Sequence, residues 1–219
     1  MPAASLTPTS PIADRAPVIV ARLTEAYPKA TVALRASNPL EMLVATILSA
    51  QCTDERVNKV TETLFQKYRT PQDYLDVSVE EFSTEIKSTG FFNQKTKSIR
   101  GACQRIVDVY GGRVPGTMEE LLTLPGVARK TANIVLGNSF GTVVGIAVDT
   151  HVRRVSQRLG FTANEDPDKI EQDLMAVIAH DQWFPFTYRL IDHGRAVCVA
   201  RTPRCEVCPV SDLCPSSRV

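Results

Sequence analysis

No stretch of this 219-residue sequence comes near the roughly 20 consecutive apolar residues that a membrane-spanning helix needs, so membrane insertion is not expected. An excess of either charge is missing too: 25 Lys and Arg stand against 24 Asp and Glu, for a formal net charge of +1. Composition therefore neither points to a polyanionic partner nor excludes one, because affinity for phosphate depends on where cations sit rather than on their sum. The N terminus lacks both the positively charged start and the apolar segment of a secretory signal. Met1 to Asp14 is rich in Pro, Ala, Ser and Thr and reads as a flexible tail (residues 1–14) on a cytosolic protein. There is no internal repeat, and beyond that tail no low-complexity segment. A disulfide framework is not needed, since this length supports one large domain or two lobes of about 100 residues each with a substantial core.

β-structure is also scarce. The run Val143–Val148 could form a strand, but no second β-rich segment offers it a partner, so it is expected to lead into or belong to a buried helix. Helical periodicity dominates instead. Val57, Val60 and Leu64 recur at i, i+3 and i+7, and Ile99, Cys103, Ile106 and Tyr110 at i, i+4, i+7 and i+11, each set marking one apolar helix face. Thr117 with Glu120 makes a capping-box pattern, and Asp166 followed by Pro167 opens a helix bearing Ile170, Leu174 and Val177. The fold class is all-α.

Cysteine is distributed unevenly. Cys52 and Cys103 stand alone beside apolar residues and read as core packing, whereas Cys198, Cys205, Cys208 and Cys214 fall within 17 residues. Without an export signal such a cluster indicates metal before disulfides. Four thiolates suit zinc or an iron–sulfur centre. Zinc sites usually combine two close pairs, and only Cys205 and Cys208 form one here, which favours iron–sulfur without deciding it.

Residues 121–137 read as a helix, a Pro125–Gly126 turn and a second helix opening near Ala128. The free N–H groups of that second helix would suit a DNA phosphate, although a Pro–Gly turn alone is only a connector. Lys130 lies in its first turn, where the helix dipole disfavours an ammonium, and burial would lower its proton affinity further. A shift from the ordinary lysine value to about 8 would raise the free amine from roughly 0.1% to about a tenth at neutral pH, enough for a nucleophile. Asp149 follows the apolar run Ile146–Val148 and suits either a helix N-cap or a cleft-wall charge, and both roles can coexist. Arg153, Arg154 and Arg158 could meet phosphates or form a solvated helix face.

Four motifs in this order, Leu-Ser-Ala-Gln-Cys-Thr-Asp at 48–54, Leu-Pro-Gly-Val-Ala-Arg-Lys-Thr-Ala at 124–132, Val-Asp-Thr-His at 148–151 and the cysteine spacing, resemble the endonuclease III family of helix-hairpin-helix DNA glycosylases. The similarity runs over roughly residues 30–215. It implies a two-lobed helical protein: a helical barrel over residues 36–142 carrying the hairpin, and a lobe of residues 15–35 plus 143–219 holding a 4Fe-4S cluster on Cys198, Cys205, Cys208 and Cys214. Damaged double-stranded DNA would lie across the cleft, with Lys130 and Asp149 facing each other at its mouth. The resemblance further implies a monomer of cytoplasmic, nucleoid-associated, bacterial type.

By the same resemblance the enzyme is a bifunctional DNA glycosylase and lyase removing oxidised pyrimidines in base excision repair. The damaged nucleotide is extruded because its sugar carbon is unreachable in the stack. Gln51 fills the vacated space and Phe91 wedges toward the opposite strand. Lys130 attacks C1′ to give a Schiff base, β-elimination cuts on the 3′ side, and Asp149 stabilises positive charge on the sugar. DNA contacts are implied for Gly126, Val127, Ala128, Arg129 and His151, and for Arg201 and Arg204 in the cysteine loop. His151 and His193 are read as structural or DNA-neighbouring, with no metal constellation claiming either. Two departures from the family pattern stand out. Ala128 replaces a glycine, which would add strain of about 1 kcal/mol if the position required positive φ. Phe91 replaces a frequent leucine and can stack on a base. The competing readings are an adenine glycosylase, against which Lys130 speaks, and a non-catalytic DNA-binding iron–sulfur protein, which leaves Lys130 and Asp149 as coincidences.

Overall fold

Eleven α-helices and five short 3₁₀ or π turns account for the regular structure of residues 6–219, which a computed structural model describes; Met1–Ser5 lie outside the described residues. No strand occurs among the described residues. The helices are α1 (Ile12–Ala26), α2 (Pro39–Leu48), α3 (Asp54–Lys67), α4 (Asp73–Asp76), α5 (Val79–Glu85), α6 (Phe92–Tyr110), α7 (Met118–Leu121), α8 (Arg129–Val135), α9 (Thr150–Leu159), α10 (Pro167–Val177) and α11 (Trp183–Ala196). They divide between two compact units: Val32–Val144 is one, and the N-terminal segment up to Thr31 together with Gly145–Val219 is the other. The family resemblance sets the corresponding boundaries at 36–142, and at 15–35 plus 143–219.

In the unit Val32–Val144 the apolar stripes read from the sequence face the core. Val57 and Leu64 of α3 are buried, as are Ile99, Cys103 and Ile106 of α6. Fully burying one such side chain contributes roughly 1.5–3 kcal/mol, so the stripes rather than helix propensity hold these segments in place. Burial pushes the Cys103 thiol up to about 12, as suits a packing residue rather than a nucleophile. Local starts are set by side chains: Thr53 accepts from the Arg56 N–H and Thr117 from the Glu120 N–H, and Thr117 Oγ1 also donates to the Glu120 carboxylate. α8 packs on α2 with Ala132 and Val135 buried, and continues into a π turn at Leu136–Phe140.

The other unit has its own core, built from α1, α9, α10 and α11 and including Ile19, Leu23, Val152, Val155, Ile170, Leu174, Phe186 and Leu190. Asp166 accepts from the Asp168 and Lys169 N–H groups and Pro167 occupies the first turn of α10. One expectation needs correction. The stretch taken as a tail is ordered before residue 14: α1 begins at Ile12, and Leu6 and Ile12 pack against this core, because both are apolar and have a surface to cover. Val143–Val148 has no regular secondary structure and, as one of the two readings had it, leads into a helix: Ile146–Val148 at its end are buried just before α9. Arg15 is 4% exposed and donates to the carbonyls of Ser10, Leu159 and Leu213, so one guanidinium fastens the C-terminal segment to α1 and α9.

Candidate functional site

Within the unit Val32–Val144 a concavity of about 370 Å³ is lined by Gln51, Phe91, Gly126, Ala128 and Lys130, five of the residues singled out in the sequence. Ser98, Lys95 and Thr131 complete much of its wall, and the lining carries two lysines and no carboxylate, which favours an anionic ligand. Three separate segments meet here. Gln51 sits in the turn after α2, Phe91 in the turn before α6, Gly126 and Ala128 in the hairpin between α7 and α8, and Lys130 in the first turn of α8. Gln51 has φ 51° and Phe91 φ 47°, the only non-glycine residues with positive φ among those described. Left-handed backbone at such residues persists only where the surroundings enforce it, and it is concentrated at working sites. Phe91 is 65% exposed, an apolar ring held out into solvent.

The hairpin turn depends on Gly126, whose φ is +77° and whose missing Cβ would lie 2.5 Å from Ser98 Cβ on α6. That absence lets the turn press against α6. Val127 points the other way: its side chain is in the core at 8% exposure and its N–H donates to the Leu124 carbonyl. Arg129 is half-buried. Ala128, at φ −103° and ψ 171°, is extended backbone, so the methyl group in place of the family's glycine adds no strain here. No side chain caps the start of α8, in contrast to α9 and α10. Lys130 lies in the first turn of α8 as expected, but it is exposed on the cavity wall. The burial expected to lower its charge is therefore absent in the protein alone; what surrounds it is the cavity and, by general helix electrostatics, the positive end of α8.

Asp149 belongs to the other unit and caps α9. Its Oδ1 accepts from the His151 N–H at 2.8 Å and the Val152 N–H at 2.7 Å, while Oδ2 lies 3.1 Å from His151 Nδ1. Each carboxylate oxygen offers about two acceptor sites, so Oδ1 is filled and Oδ2 keeps one for another donor. The side chain is 17% exposed, enough for contact from outside. Cap and site charge are thus compatible in one residue.

Cys198, Cys205, Cys208 and Cys214 line a single cavity with Arg158 and His193. Burial, with the other three cysteines adding to it, pushes the Cys208 thiol up to about 11, so a positively charged centre is what would hold these groups as thiolates. Arg158 Nη1 donates to Cys198 Sγ at 3.3 Å and to the Val199 carbonyl at 2.8 Å, and its Nη2 reaches the Ala200 carbonyl at 2.6 Å. Arg154 Nη2 holds the Gly194 carbonyl at 2.9 Å. These two arginines thus form neither a phosphate contact nor a solvated face; they fasten the cysteine loop, and Arg153 alone of the three is exposed. Arg201 and Arg204 are both exposed; Arg204 donates to the Ala196 carbonyl, whereas Arg201 makes no hydrogen bond among the described residues. His193, expected to stand apart from metal, is 1% exposed with Nδ1 3.0 Å from the Tyr27 hydroxyl and Nε2 3.6 Å from Cys208 Sγ; burial pushes it down to about 4.

Sequence reasoning missed Lys95 and Ser98 in the wall of the first cavity and Arg158 and His193 beside the four cysteines. A signal for Lys95 existed: it falls four residues before Ile99, on the apolar stripe of α6, where a charged residue is out of place.

The class is defined by comparison with known proteins. A family model described as HhH-GPD superfamily base excision DNA repair protein matches residues 44–180, and a second, the iron-sulfur binding domain of endonuclease III, matches residues 198–214. The chain is 54% identical over 205 residues to endonuclease III of Synechocystis sp., covering 94% of each chain, and 48% identical over 194 residues to that of Bacillus subtilis, covering 88% of each. A solved structure of a trapped endonuclease III–DNA covalent intermediate superposes with a TM-score of 0.90 at 43% identity, covering 93% of this chain and 96% of that one. The chain belongs to the endonuclease III family. Its cofactor is an iron–sulfur cluster, which four thiols around one cavity and an arginine donating to sulfur fit.

Proposed function

We propose that the protein is a bifunctional DNA glycosylase and lyase that removes oxidised pyrimidines from damaged duplex DNA, with Lys130 as nucleophile. The observation that carries this reading is one cavity wall that presents Lys130 beside the strained, outward-held Gln51 and Phe91. Phe91 and Gln51 enter the stack as the damaged nucleotide leaves it, since unstacking is what access to the sugar requires. The hairpin at Gly126 and Ala128 meets a backbone phosphate, which fixes register without reading sequence. Arg201, exposed, is the cysteine-loop residue best able to meet a second phosphate.

The neutral Lys130 amine attacks C1′ as the bond from C1′ to the base breaks, and the base leaves with a proton that the nitrogen gives up; the C1′–O4′ bond then opens, O4′ takes a proton, and the nitrogen lone pair closes the protonated imine. Loss of a C2′ proton then expels the 3′ phosphate and leaves an unsaturated imine on Lys130, and water hydrolyses its C=N bond to release the unsaturated aldehyde and free the amine. The bound sugar covers the exposed cavity wall and takes the amine out of water, a surrounding that disfavours a charged ammonium. Asp149, with one Oδ2 acceptor site open, offsets positive charge on the sugar ring as the base departs. Its capping bonds hold the carboxylate rigid while it does so.

The cluster is read as the 4Fe-4S type, since four thiols around one cavity offer one ligand to each iron of a four-iron centre. When bound, it supplies a rigid cross-link for the loop that presents Arg201. The protein acts at the nucleoid, a reading supported by its DNA substrate; among the described residues no helix is long and apolar enough to cross a membrane. A panel of duplex oligonucleotides carrying oxidised pyrimidines, oxidised purines or an adenine mismatch tests this, scoring base loss separately from strand nicking. Base loss and nicking confined to oxidised pyrimidines is expected; base loss without nicking, or preference for the adenine mismatch, would overturn it.

A further inference from the structure

An ammonium taken out of water must recover its hydration from fixed partners, which is why lysine is so seldom buried. Lys95, in the first turn of α6, is 3% exposed. Its Nζ donates to the Leu48 carbonyl and to the Thr89 carbonyl, each at 2.7 Å. Neither carbonyl is an arbitrary acceptor. Leu48 ends α2, where the final carbonyls have no partner within the helix, and it stands three residues before Gln51. Thr89 stands two residues before Phe91. One side chain therefore ties together the two turns that bear the only non-glycine residues of positive φ among those described. A backbone bond adds to the tie, from the Lys95 N–H to the Phe91 carbonyl at 3.1 Å. Strained residues keep their conformation only when the surroundings over-determine it, and Lys95 is the group that both turns share.

We propose that Lys95 is a positioning residue whose side chain clamps the Leu48 and Thr89 carbonyls, so that Gln51 and Phe91 stand at a fixed separation and enter the duplex as a preformed pair. The clamp rests on the reading of Gln51 and Phe91 as the residues that enter DNA. It acts on base extrusion rather than on the covalent step, because Lys95 Nζ is committed to two carbonyls and Lys130 performs the attack. Preorganisation of this kind moves the ordering cost from the moment of binding to folding.

Lys95→Met keeps an unbranched apolar stem one atom shorter and removes both hydrogen bonds. In a duplex carrying 2-aminopurine beside a tetrahydrofuran abasic analogue, the fluorescence rise that reports unstacking should slow by roughly 10- to 100-fold, the scale of an ångström-level misplacement. Cleavage of an abasic site in single-stranded DNA, where no partner base must be displaced, should fall far less. Adding Lys95→Met to Phe91→Ala should change unstacking by no more than about threefold beyond Phe91→Ala alone, because both act on one element. Equal losses on duplex and single strand, or additive losses in the double variant, would overturn the clamp. Phe91→Ala and Gln51→Ala separate the two ideas. If both unstack DNA at the wild-type rate, the underlying reading fails whatever Lys95 does; if they are slow and Lys95→Met is not, the clamp alone fails. Should Lys95→Met not fold, amide hydrogen exchange of the unaltered protein decides: residues 49–52 and 89–92 should open together, and independent protection of the two turns overturns the proposal.

Discussion

Replacing Gly126 by alanine tests how the hairpin is built. The residue has φ +77°, and a Cβ there would come within 2.5 Å of Ser98 Cβ, 2.6 Å of Ser98 Oγ and 3.4 Å of Ser98 Cα. The left-handed backbone costs an L-residue roughly 1–2 kcal/mol, and forcing a methyl group into a packed contact costs about 1–3 kcal/mol more. Gly126→Ala should therefore lose about 2–5 kcal/mol, which for a chain of this size lowers the Tm by roughly 5–15 °C. Thermal unfolding followed by circular dichroism reads the shift, and fluorescence anisotropy with an undamaged duplex reads the loss of the proposed phosphate contact. Trimming the neighbour separates the two contributions. Ser98→Gly removes both near atoms, so in its background Gly126→Ala should recover the packing cost while keeping the conformational one. Ala128→Gly is the matched control two residues on. Its φ of −103° needs no glycine, so the substitution should only loosen the unfolded and capping states by about 1 kcal/mol or less and should not strengthen DNA binding. Tighter DNA binding by Ala128→Gly, or a Gly126→Ala protein as stable as its parent, would refute the assignment of strain to position 126 alone.

Asp149→Asn keeps an oxygen that can cap α9, so stability should change by less than about 1 kcal/mol while base release falls roughly 100-fold or more with the loss of the charge; thermal melts beside single-turnover kinetics check the split. Arg158→Met removes the donors to Cys198 Sγ, Val199 and Ala200, and the visible absorbance of the iron–sulfur cluster should then bleach several times faster in air than in the parent. Arg15→Met leaves the Leu159 and Leu213 carbonyls without their donor in a buried place, and an equilibrium urea titration should show a loss of about 2–4 kcal/mol.

Much of the fold is legible in the sequence because it is written locally. The stripes on α3 and α6, the caps at Thr117 and Asp166, and the Pro125–Gly126 turn each depend on residues within a few positions of one another. The cysteine spacing is local as well, which is why a metal centre could be named while its supports could not. Arg158 reaches a loop about 40 residues further along, and Lys95 reaches back to Leu48, so neither partner is visible in a window of sequence. Backbone sign was the other blind spot. Gln51 and Phe91 carry no glycine to announce positive φ, and Ala128, where the family usually has glycine, turns out to need none. Val127 stood in the hairpin motif yet faces the core, since motif membership does not say which way a side chain points. Lys130 is exposed because the hairpin projects it into a cavity that only a ligand can close.

Everything in the proposed chemistry passes through one nitrogen. Incubating the protein with a duplex containing an abasic site in the presence of borohydride reduces any imine to a stable amine, and peptide mass spectrometry of the adduct locates the bond. The account predicts a single modified peptide bearing the sugar remnant on Lys130, and no adduct from Lys130→Gln protein that retains its fold and cluster colour. An adduct on Lys95 or at the N terminus, or none at all while strand cleavage proceeds, would contradict it.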